Sequence, residues 1–230
     1  MARSFFKKTL EQRKADRCDA CELRKTLCVC ASLPRLTTKT RVSLVMTVSE
    51  LCLCTNTARQ ANRALVNSEI RVRGLKDQHF RAEDFIHPDY ENWILFPSEG
   101  ATVLFFGEGL SPVNLIVPDG TWGQAKKIVA REKAWATLKR VTLPPGPPTE
   151  YGLRETRHES GVCTYEAIAR ALGILEGPHQ GPEIQAQLEA YFRLRTLRAL
   201  WARGVVRAED VPGGIPDAAR HEGLKGMRKP

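Results

Sequence analysis

The sequence predicts an α/β protein in which helices cover a parallel β-sheet. Short runs of aliphatic and β-branched residues alternate with longer stretches of helical character, and this succession is typical of parallel sheets. The chain has 230 residues, which is long enough to bury a substantial core. Its 42% hydrophobic and 27% charged residues are ordinary for a globular protein and argue against disorder.

Predicted strands and helices follow one another from residue 41 to residue 202. The strongest strand candidates are compact apolar runs of the kind that parallel sheets bury, at Arg41–Thr47, Ala101–Phe106 and Asn114–Val117. Shorter candidates lie at 70–73, 92–96 and 140–143. Helices are predicted from Thr57 to about Val66, and at Trp122–Leu138, Thr164–Leu175 and Glu183–Ala202.

Composition divides the chain into three predicted parts. Residues 1–36 form a basic N-terminus with clustered cysteines, residues 37–205 carry the α/β pattern, and residues 206–230 form a basic, flexible tail. No apolar run approaches the ~20 residues that a membrane-spanning helix needs. The N-terminus lacks the apolar stretch of a secretory signal. We therefore expect a cytoplasmic protein with no membrane partner.

Four cysteines lie within 13 residues, at Cys18, Cys21, Cys28 and Cys30. Thiolates at this spacing can converge on one tetrahedral ion, and Zn²⁺ is the usual occupant of a four-sulfur site. Free buried thiols are the alternative, but a polar segment rich in arginine and lysine is a poor core. We predict a structural zinc site, because four thiolates leave no position for water. A second pair, Cys52 and Cys54, is equally consistent with ordinary packing.

The net charge of +9 favours a polyanionic partner. Basic residues concentrate in the first 17 residues, in Gln124–Arg140 and near the C-terminus. Spacing predicts that one side of a helix carries Lys126, Lys127, Lys133 and Arg140, and that Ile128, Trp135 and Leu138 face inward. An ordinary solvated helix face would show the same basic stripe. The stripe is therefore consistent either with a surface that binds a polyanion or with a face that only contacts water.

A carboxylate, a glycine, a hydroxyl and an indole follow a predicted strand in the turn Asp119-Gly120-Thr121-Trp122. Parallel sheets bind ligands at the ends of their strands. Thr121 suits the N-cap of the next helix, whose positive end stabilises an ionised Asp119. Trp122 offers a flat face for a base or an adenine, although capping with Trp122 in the core explains the same residues. No glycine-rich phosphate loop follows a strand, which argues against nicotinamide chemistry and ATP hydrolysis.

The Asp119–Trp122 turn and the paired cysteines together resemble the DTW-domain family. That family comprises tRNA-uridine aminocarboxypropyltransferases and is related to the SPOUT class of RNA-modifying enzymes. Further similar elements occur in the family's order, at Thr55-Asn56-Thr57, Leu95–Ala101, Tyr151–Arg154 and Cys163–Ala167. The similarity covers roughly residues 17–195. The sequence departs from the family at Thr47-Val48, where His-Pro is common, and at Cys163, which replaces a serine.

The resemblance implies a fold and a reaction. Residues 37–205 would form a SPOUT-like DTW catalytic domain with a C-terminal trefoil knot that includes the Pro144–Arg154 crossover. The enzyme would transfer the 3-amino-3-carboxypropyl group of S-adenosylmethionine (SAM) to N3 of a uridine in tRNA. The products would be acp3U and methylthioadenosine. Its partners would be SAM and tRNA, and the sequence does not decide between a monomer and a dimer.

The resemblance also assigns roles to residues. Asp119 is the candidate catalytic residue, which either accepts the proton of uridine N3 or holds the SAM ammonium. The loops expected to bind SAM contain Pro97, Ser98, Asp119, Thr121, Trp122, Leu153 and Arg154. Arg154 would meet the SAM carboxylate or a phosphate. The RNA substrate would contact Thr55, Asn56 and Thr57. Because the helix with the basic stripe begins at the proposed site, Lys126, Lys127 and Lys133 are candidate RNA contacts as well.

Two other functions compete with aminocarboxypropyl transfer. A SAM-dependent RNA methyltransferase on the same scaffold would present the methyl carbon of SAM instead. A non-catalytic zinc-ribbon RNA-binding protein would bind tRNA with a steep salt dependence and would not bind SAM. The sequence does not indicate which uridine or which tRNA is the substrate.

Overall fold

In the computed structural model of the chain, which describes residues 15–76, 79–108, 111–154 and 161–219, a parallel sheet lies between helices. In chain order the elements are β1 (Arg41–Thr47), α1 (Ala58–Ala64), β2 (Ser68–Arg73), β3 (Glu91–Leu95), β4 (Thr102–Val103), β5 (Val113–Asp119), α2 (Trp122–Arg131), β6 (Lys139–Thr142), α3 (Thr164–Leu175) and α4 (Gly177–Trp201). Over the described residues, six strands pair in the order β2-β1-β5-β3-β6-β4, and every pairing is parallel. The predicted α/β class with a parallel sheet is confirmed.

The chain divides into two units. One comprises Met1–Ser32 and Leu194–Pro230, and the other comprises Leu33–Arg193. The sheet belongs entirely to the second unit, and the cysteine cluster belongs to the first. No helix in the described ranges is both long enough and apolar enough to cross a bilayer.

The register of the central strands determines where the site lies. In the pairing of β1 with β5, Met46 is opposite Asp119. Strand β3 lies on the other side of β5, with Ile94 opposite Ile116. Because all strands are parallel, β1, β3 and β5 end at the same edge of the sheet, and the loops that follow them meet there.

Helix α2 covers one face of this sheet with its apolar side. Val45, Ile94 and Ile116 project from three neighbouring strands into one buried cluster. From α2 and the turn after it, the cluster receives Ala125, Ile128, Val129 and Trp135. The indole Nε1 of the fully buried Trp135 donates to the carbonyl of Ala82 at 2.9 Å. The inward orientation predicted for Ile128 and Trp135 is therefore observed, and Leu138 packs against the same cluster while only partly buried.

Several predicted elements differ in length from those observed. Helix α2 ends at Arg131 because Glu132 adopts an extended conformation, so Arg140 lies on β6 and not on the lysine-bearing helix. The run Ala101–Phe106 forms only the two-residue strand β4, which pairs with β6 at the edge of the sheet. Its partner β6 ends at Thr142, opposite Val103, so the ladder cannot continue along the rest of the apolar run.

Helix α4 begins at Gly177, well before the predicted Glu183. The junction with α3 requires glycine, since Gly177 has a φ of +82°. Two further glycines let α3 and α4 approach closely: a Cβ at Gly181 would lie 2.1 Å from the carbonyl oxygen of Gly173. The proximity of these two backbones explains why residues with poor helix propensity occur inside the helices.

A buried polar cluster lies on the sheet at Asn114 of β5. Its side chain is fully buried, accepts from Ser43 Oγ at 2.8 Å, and donates to the carbonyl of Phe85 at 2.7 Å and to Asn92 Oδ1 at 2.9 Å. The amide thus attaches the loop containing Phe85 to β5 and links β5 to its neighbours β1 and β3. All of its hydrogen-bonding groups have partners, so its burial carries little penalty.

We expect Asn114→Ala to lower the free energy of unfolding by about 2–4 kcal/mol, because it leaves buried partners unsatisfied. Urea denaturation of the full chain measures this. The control Thr102→Ala, on the exposed edge strand, should change stability by less than about 0.5 kcal/mol. Equal stability of Asn114→Ala and the wild type would contradict the structural role of the amide.

Candidate functional site

Asp119, the last residue of β5, lies buried at the edge of the sheet where the strands end. Its side chain is only 4% exposed. Asn56 Nδ2 donates to its Oδ2 at 2.7 Å, and Thr164 Oγ1 donates to its Oδ1 at 2.6 Å. Asn56 precedes α1 and Thr164 begins α3, so two helices direct neutral donors at one carboxylate.

A second buried carboxylate, Glu50, lies in the same cluster. Asn56 Nδ2 also donates to Glu50 Oε2 at 3.1 Å, so one amide group bridges both carboxylates. Arg154 forms a bidentate pair with Glu50, with Nη1 at 3.2 Å and Nη2 at 2.9 Å. Such forked pairs are among the strongest that side chains make. The sequence did not single out Glu50, and its position just before Thr55-Asn56-Thr57 was the available signal.

The segment Thr55–Thr57 links the loop after β1 to the elements that follow β6. Arg154 Nε donates to Thr55 Oγ1 at 2.9 Å, and the Tyr151 hydroxyl donates to the Thr55 carbonyl. Thr57 Oγ1 accepts from the backbone N–H of Tyr165 at 3.4 Å. The structure therefore gathers Thr55, Asn56 and Thr57 with Asp119 and Arg154, although these residues are far apart in the chain.

The two carboxylates differ in their electrostatic environments. Burial raises the pKa of Asp119 above its ordinary value, and the charge of Glu50 adds to the rise, while hydrogen bonds from Thr164 and Asn56 oppose it. Burial by itself would lower the pKa of Arg154, but the hydrogen bonds and charge of Glu50 outweigh this effect and raise it. Arg154 thus remains a cation beside Glu50, and the protonated form of Asp119 is more favourable than that of an exposed aspartate.

The Asp119–Trp122 turn starts α2 with a capping box. Thr121 Oγ1 accepts from Gln124 N–H, and Gln124 Oε1 accepts from the Thr121 N–H at 2.8 Å. Gly120 leaves room for this exchange, since a Cβ there would lie 2.9 Å from Gln124 Oε1. The expected N-cap role of Thr121 is observed. Trp122 is 38% exposed and packs against Phe96 with ring centroids 5.8 Å apart, so it is not a core residue.

The loop after β3 carries Pro97 and Ser98, which the resemblance assigned to SAM. Pro97 is exposed, and Ser98 Oγ is buried without a hydrogen-bond partner in the described part of the chain. A buried hydroxyl of this kind leaves a hydrogen bond available to a ligand. Leu153 is buried beside Arg154 in sequence. His158 lies outside the described residues.

The three lysines assigned to RNA lie on α2 and just after it. Lys126 and Lys127 are exposed on the helix, and Lys133 is exposed on the short turn that follows. Arg140, which the spacing had placed with them, lies half-buried on β6. The basic surface that begins at the Asp119 turn therefore extends for one helix length.

The four cysteine sulfurs converge. Their Sγ atoms lie within 4.8 Å of one another, with 3.5 Å between Cys18 and Cys30 and 3.8 Å between Cys21 and Cys28. Zinc–sulfur bonds of about 2.3 Å in a tetrahedron separate the sulfurs by about 3.8 Å. Burial favours a higher pKa for Cys18, yet hydrogen bonds from the backbone of Cys21 and Ala20 lower that pKa to about 7. The cluster can hold a metal ion.

Two arginines of α4 bind the backbone of the cysteine loop within the same unit. Arg195 Nε donates to the Cys21 carbonyl at 2.9 Å, and Arg198 Nη1 donates to the Cys28 carbonyl at 2.8 Å. Arg195 is almost fully buried. Two cations thus lie beside a cluster that would carry negative charge as thiolates.

Comparison with known proteins relates this arrangement to a family. The tRNA-uridine aminocarboxypropyltransferase 2 of Drosophila melanogaster is 32% identical over 96 residues, which are 41% of this chain and 37% of that protein. The match therefore spans little more than a third of the relative's length. No solved structure matches the chain. The family described as the DTW domain matches residues 15–200, which include the cysteine cluster, the whole sheet and both carboxylates. The chain belongs to the DTW-domain family.

Proposed function

We propose that this chain is a transferase that modifies tRNA, moving the 3-amino-3-carboxypropyl group of SAM to N3 of a uridine. The observation that carries the proposal is the buried cluster of Asp119, Asn56, Glu50 and Arg154 at the end of the strands. Membership of the DTW-domain family and the name of the Drosophila melanogaster relative support the reaction class. The products would be acp3U and methylthioadenosine.

The residues around the cluster fit SAM. Ser98 Oγ offers an unused hydrogen-bonding group, and the exposed face of Trp122 suits an adenine. Arg154 is 35% exposed. Its Nε donates to Thr55 and one N–H of each terminal nitrogen donates to Glu50, so the second N–H of each terminal nitrogen can donate to a carboxylate. SAM would supply a carbon activated by its sulfonium. The protein's task is to decide which of the three carbons on sulfur faces the nucleophile, which is catalysis by positioning.

Asp119 would accept the proton that uridine N3 loses as it attacks. The N3–C bond forms while the C–S bond breaks, its electron pair goes to sulfur, and the proton goes to the carboxylate. Asp119 must be ionised to act in this way, and its raised pKa makes it a stronger base than an exposed aspartate. Hydrogen bonds from Asn56 and Thr164 orient the carboxylate.

The exposed lysines of α2 would hold the tRNA backbone, because Lys126 and Lys127 lie one turn beyond the proposed site. We also propose the SPOUT-like fold with a trefoil knot that the resemblance implies. The all-parallel sheet and the return of Arg154 to the loop after β1 are consistent with it. The four cysteines would hold a structural zinc ion, since their sulfur separations suit a tetrahedral site.

Isotopic labelling tests the reaction directly. With SAM labelled at the carboxyl carbon, we expect label in tRNA and release of methylthioadenosine. Nucleoside mass spectrometry then identifies acp3U. Incorporation of label from the SAM methyl group would instead show a methyltransferase. Salt-dependent tRNA binding with no SAM binding by calorimetry would show a non-catalytic RNA-binding protein.

The pH profile tests Asp119 as the base. Lowering the pH protonates the carboxylate, so kcat/KM should fall on the acid side, with a midpoint above the ordinary aspartate value of 3.8. We expect Asp119→Asn to reduce kcat by about 10²–10⁴-fold. Glu50→Gln removes a neighbouring negative charge, so it should move the acid-side midpoint to lower pH. An unchanged midpoint in Glu50→Gln, or near-normal activity of Asp119→Asn, would contradict the role.

Metal analysis tests the cysteine cluster. We expect about one zinc per wild-type chain and substantially less in Cys21→Ser, which should also melt at a lower temperature. The matched control is Cys52→Ser, because Cys52 is exposed and lies outside the cluster. That variant should retain zinc and stability. A wild-type protein purified without chelators that contains no zinc would refute the site.

A further inference from the structure

A cleft of about 580 Å³ opens at the end of β2, outside the cluster of Asp119 and Glu50. The side chains that give it chemistry are Arg73, Lys76, His79, Phe80 and Glu132. Its volume falls in the range of roughly 300–1,000 Å³ that ligand sites occupy. The cleft is close to the proposed active site, since a Cβ at its Gly74 would lie 3.5 Å from Val48, two residues before Glu50.

The cleft is basic. Arg73 donates to Glu132 Oε1 through Nε at 2.7 Å while its side chain stays 34% exposed, and Lys76 is an exposed cation. Glu132 is flanked in the chain by Arg131 and Lys133, both exposed. Within the described residues, the cations Arg73, Lys76, Arg131 and Lys133 in and beside the cleft outnumber the carboxylate of Glu132, which favours an anionic ligand. The flanking Lys133 connects the cleft with the lysine surface of α2.

Phe80 provides an aromatic wall that the core holds in place. Its ring lies 5.5 Å from the ring of Phe85 and 6.4 Å from that of Trp135, both fully buried. The guanidinium of Arg73 lies 6.0 Å from the Phe80 centroid. An anchored aromatic ring beside cations is the arrangement on which single-stranded nucleic acids stack their bases. Phe80 is only half-buried, so part of it faces the cleft.

We propose that this cleft binds an unpaired nucleotide of the tRNA substrate near the target uridine, with Phe80 stacking on the base and Lys76 and Arg73 contacting phosphate. The inference rests on the proposed action on tRNA. It adds a second RNA-binding surface to the lysines of α2, on the β2 side of the loop that holds Glu50. RNA contacts with the lysines of α2 and with the cleft, one on each side of that loop, would together fix the substrate uridine relative to Asp119.

Binding of unmodified tRNA to the full chain, measured by fluorescence anisotropy without SAM and at several salt concentrations, tests the cleft. Lys76→Ala should weaken binding and reduce the slope of log K against log salt by about 0.7–0.9, because one phosphate contact is lost. Phe80→Leu should weaken binding about 5–20-fold with an unchanged slope, because it removes stacking and no charge. Thermal melting verifies that Phe80→Leu is folded, and Lys76 is exposed, so its variant retains the core.

Arg71 provides a matched control for Arg73. Both side chains project from β2, and each pairs with a carboxylate and lies over a phenylalanine ring. Arg71 does so with Asp84 and Phe85. Arg73 does so with Glu132 and Phe80. Only Arg73 lines the cleft. We expect Arg73→Ala to weaken tRNA binding at least fivefold and Arg71→Ala to change it less than twofold. Equal losses in the two variants would show a general charge effect and overturn the proposal, as would wild-type affinity in both Lys76→Ala and Phe80→Leu.

The outcomes distinguish this inference from the proposed function. If the wild type releases no methylthioadenosine but the cleft variants still lose tRNA affinity, the proposed reaction fails and the cleft stands. If transfer is normal and the cleft variants bind tRNA as the wild type does, the cleft fails and the reaction stands.

Discussion

A single side-chain amide holds two buried carboxylates together where the strands of the sheet end. Asn56 Nδ2 donates to Asp119 on β5 and to Glu50 in the loop after β1. Donation from one amide group to both carboxylates offsets part of the cost of burying two acidic groups so close together. The same amide also accepts from the N–H of Arg59, so the start of α1 is tied to the site. The geometry of every proposed step depends on this bridge.

The two carboxylates are similarly buried but have different hydrogen-bonding partners. Glu50 forms an ion pair with the guanidinium of Arg154, which fixes the relative positions of these two side chains. The hydrogen bonds to Asp119 come from neutral groups of Asn56 and Thr164, so burial raises its pKa.

The cysteine cluster follows a similar electrostatic rule in its own unit. Four thiolates around a divalent ion carry a net negative charge, and the guanidinium groups of Arg195 and Arg198 bind the carbonyls of Cys21 and Cys28. Burying Arg195 would be costly without such partners. The helix that carries these arginines therefore stabilises the loop that holds the sulfurs.

Local patterns predicted much of this protein. The apolar run Arg41–Thr47 coincides with β1, Thr164–Leu175 coincides with α3, and Cys18–Cys30 form a convergent cluster, because strand periodicity, helix capping and short ligand spacing are properties of neighbouring residues. The run Ala101–Phe106 was predicted as a full strand and proved to be a short edge strand, since strand length depends on the partner strand.

Only the tertiary structure decided which groups share the site. Glu50 is an unremarkable loop residue in the sequence, and it becomes a buried partner of Arg154 because the segment after β6 returns to the end of β1. The fold likewise brings the half-buried Phe80 beside Arg73 of β2. The sequence by itself determined the parallel α/β class, the cysteine cluster and the Asp119 turn. The folded chain decided charge pairing and pKa, because these depend on distances between residues that are remote in the chain.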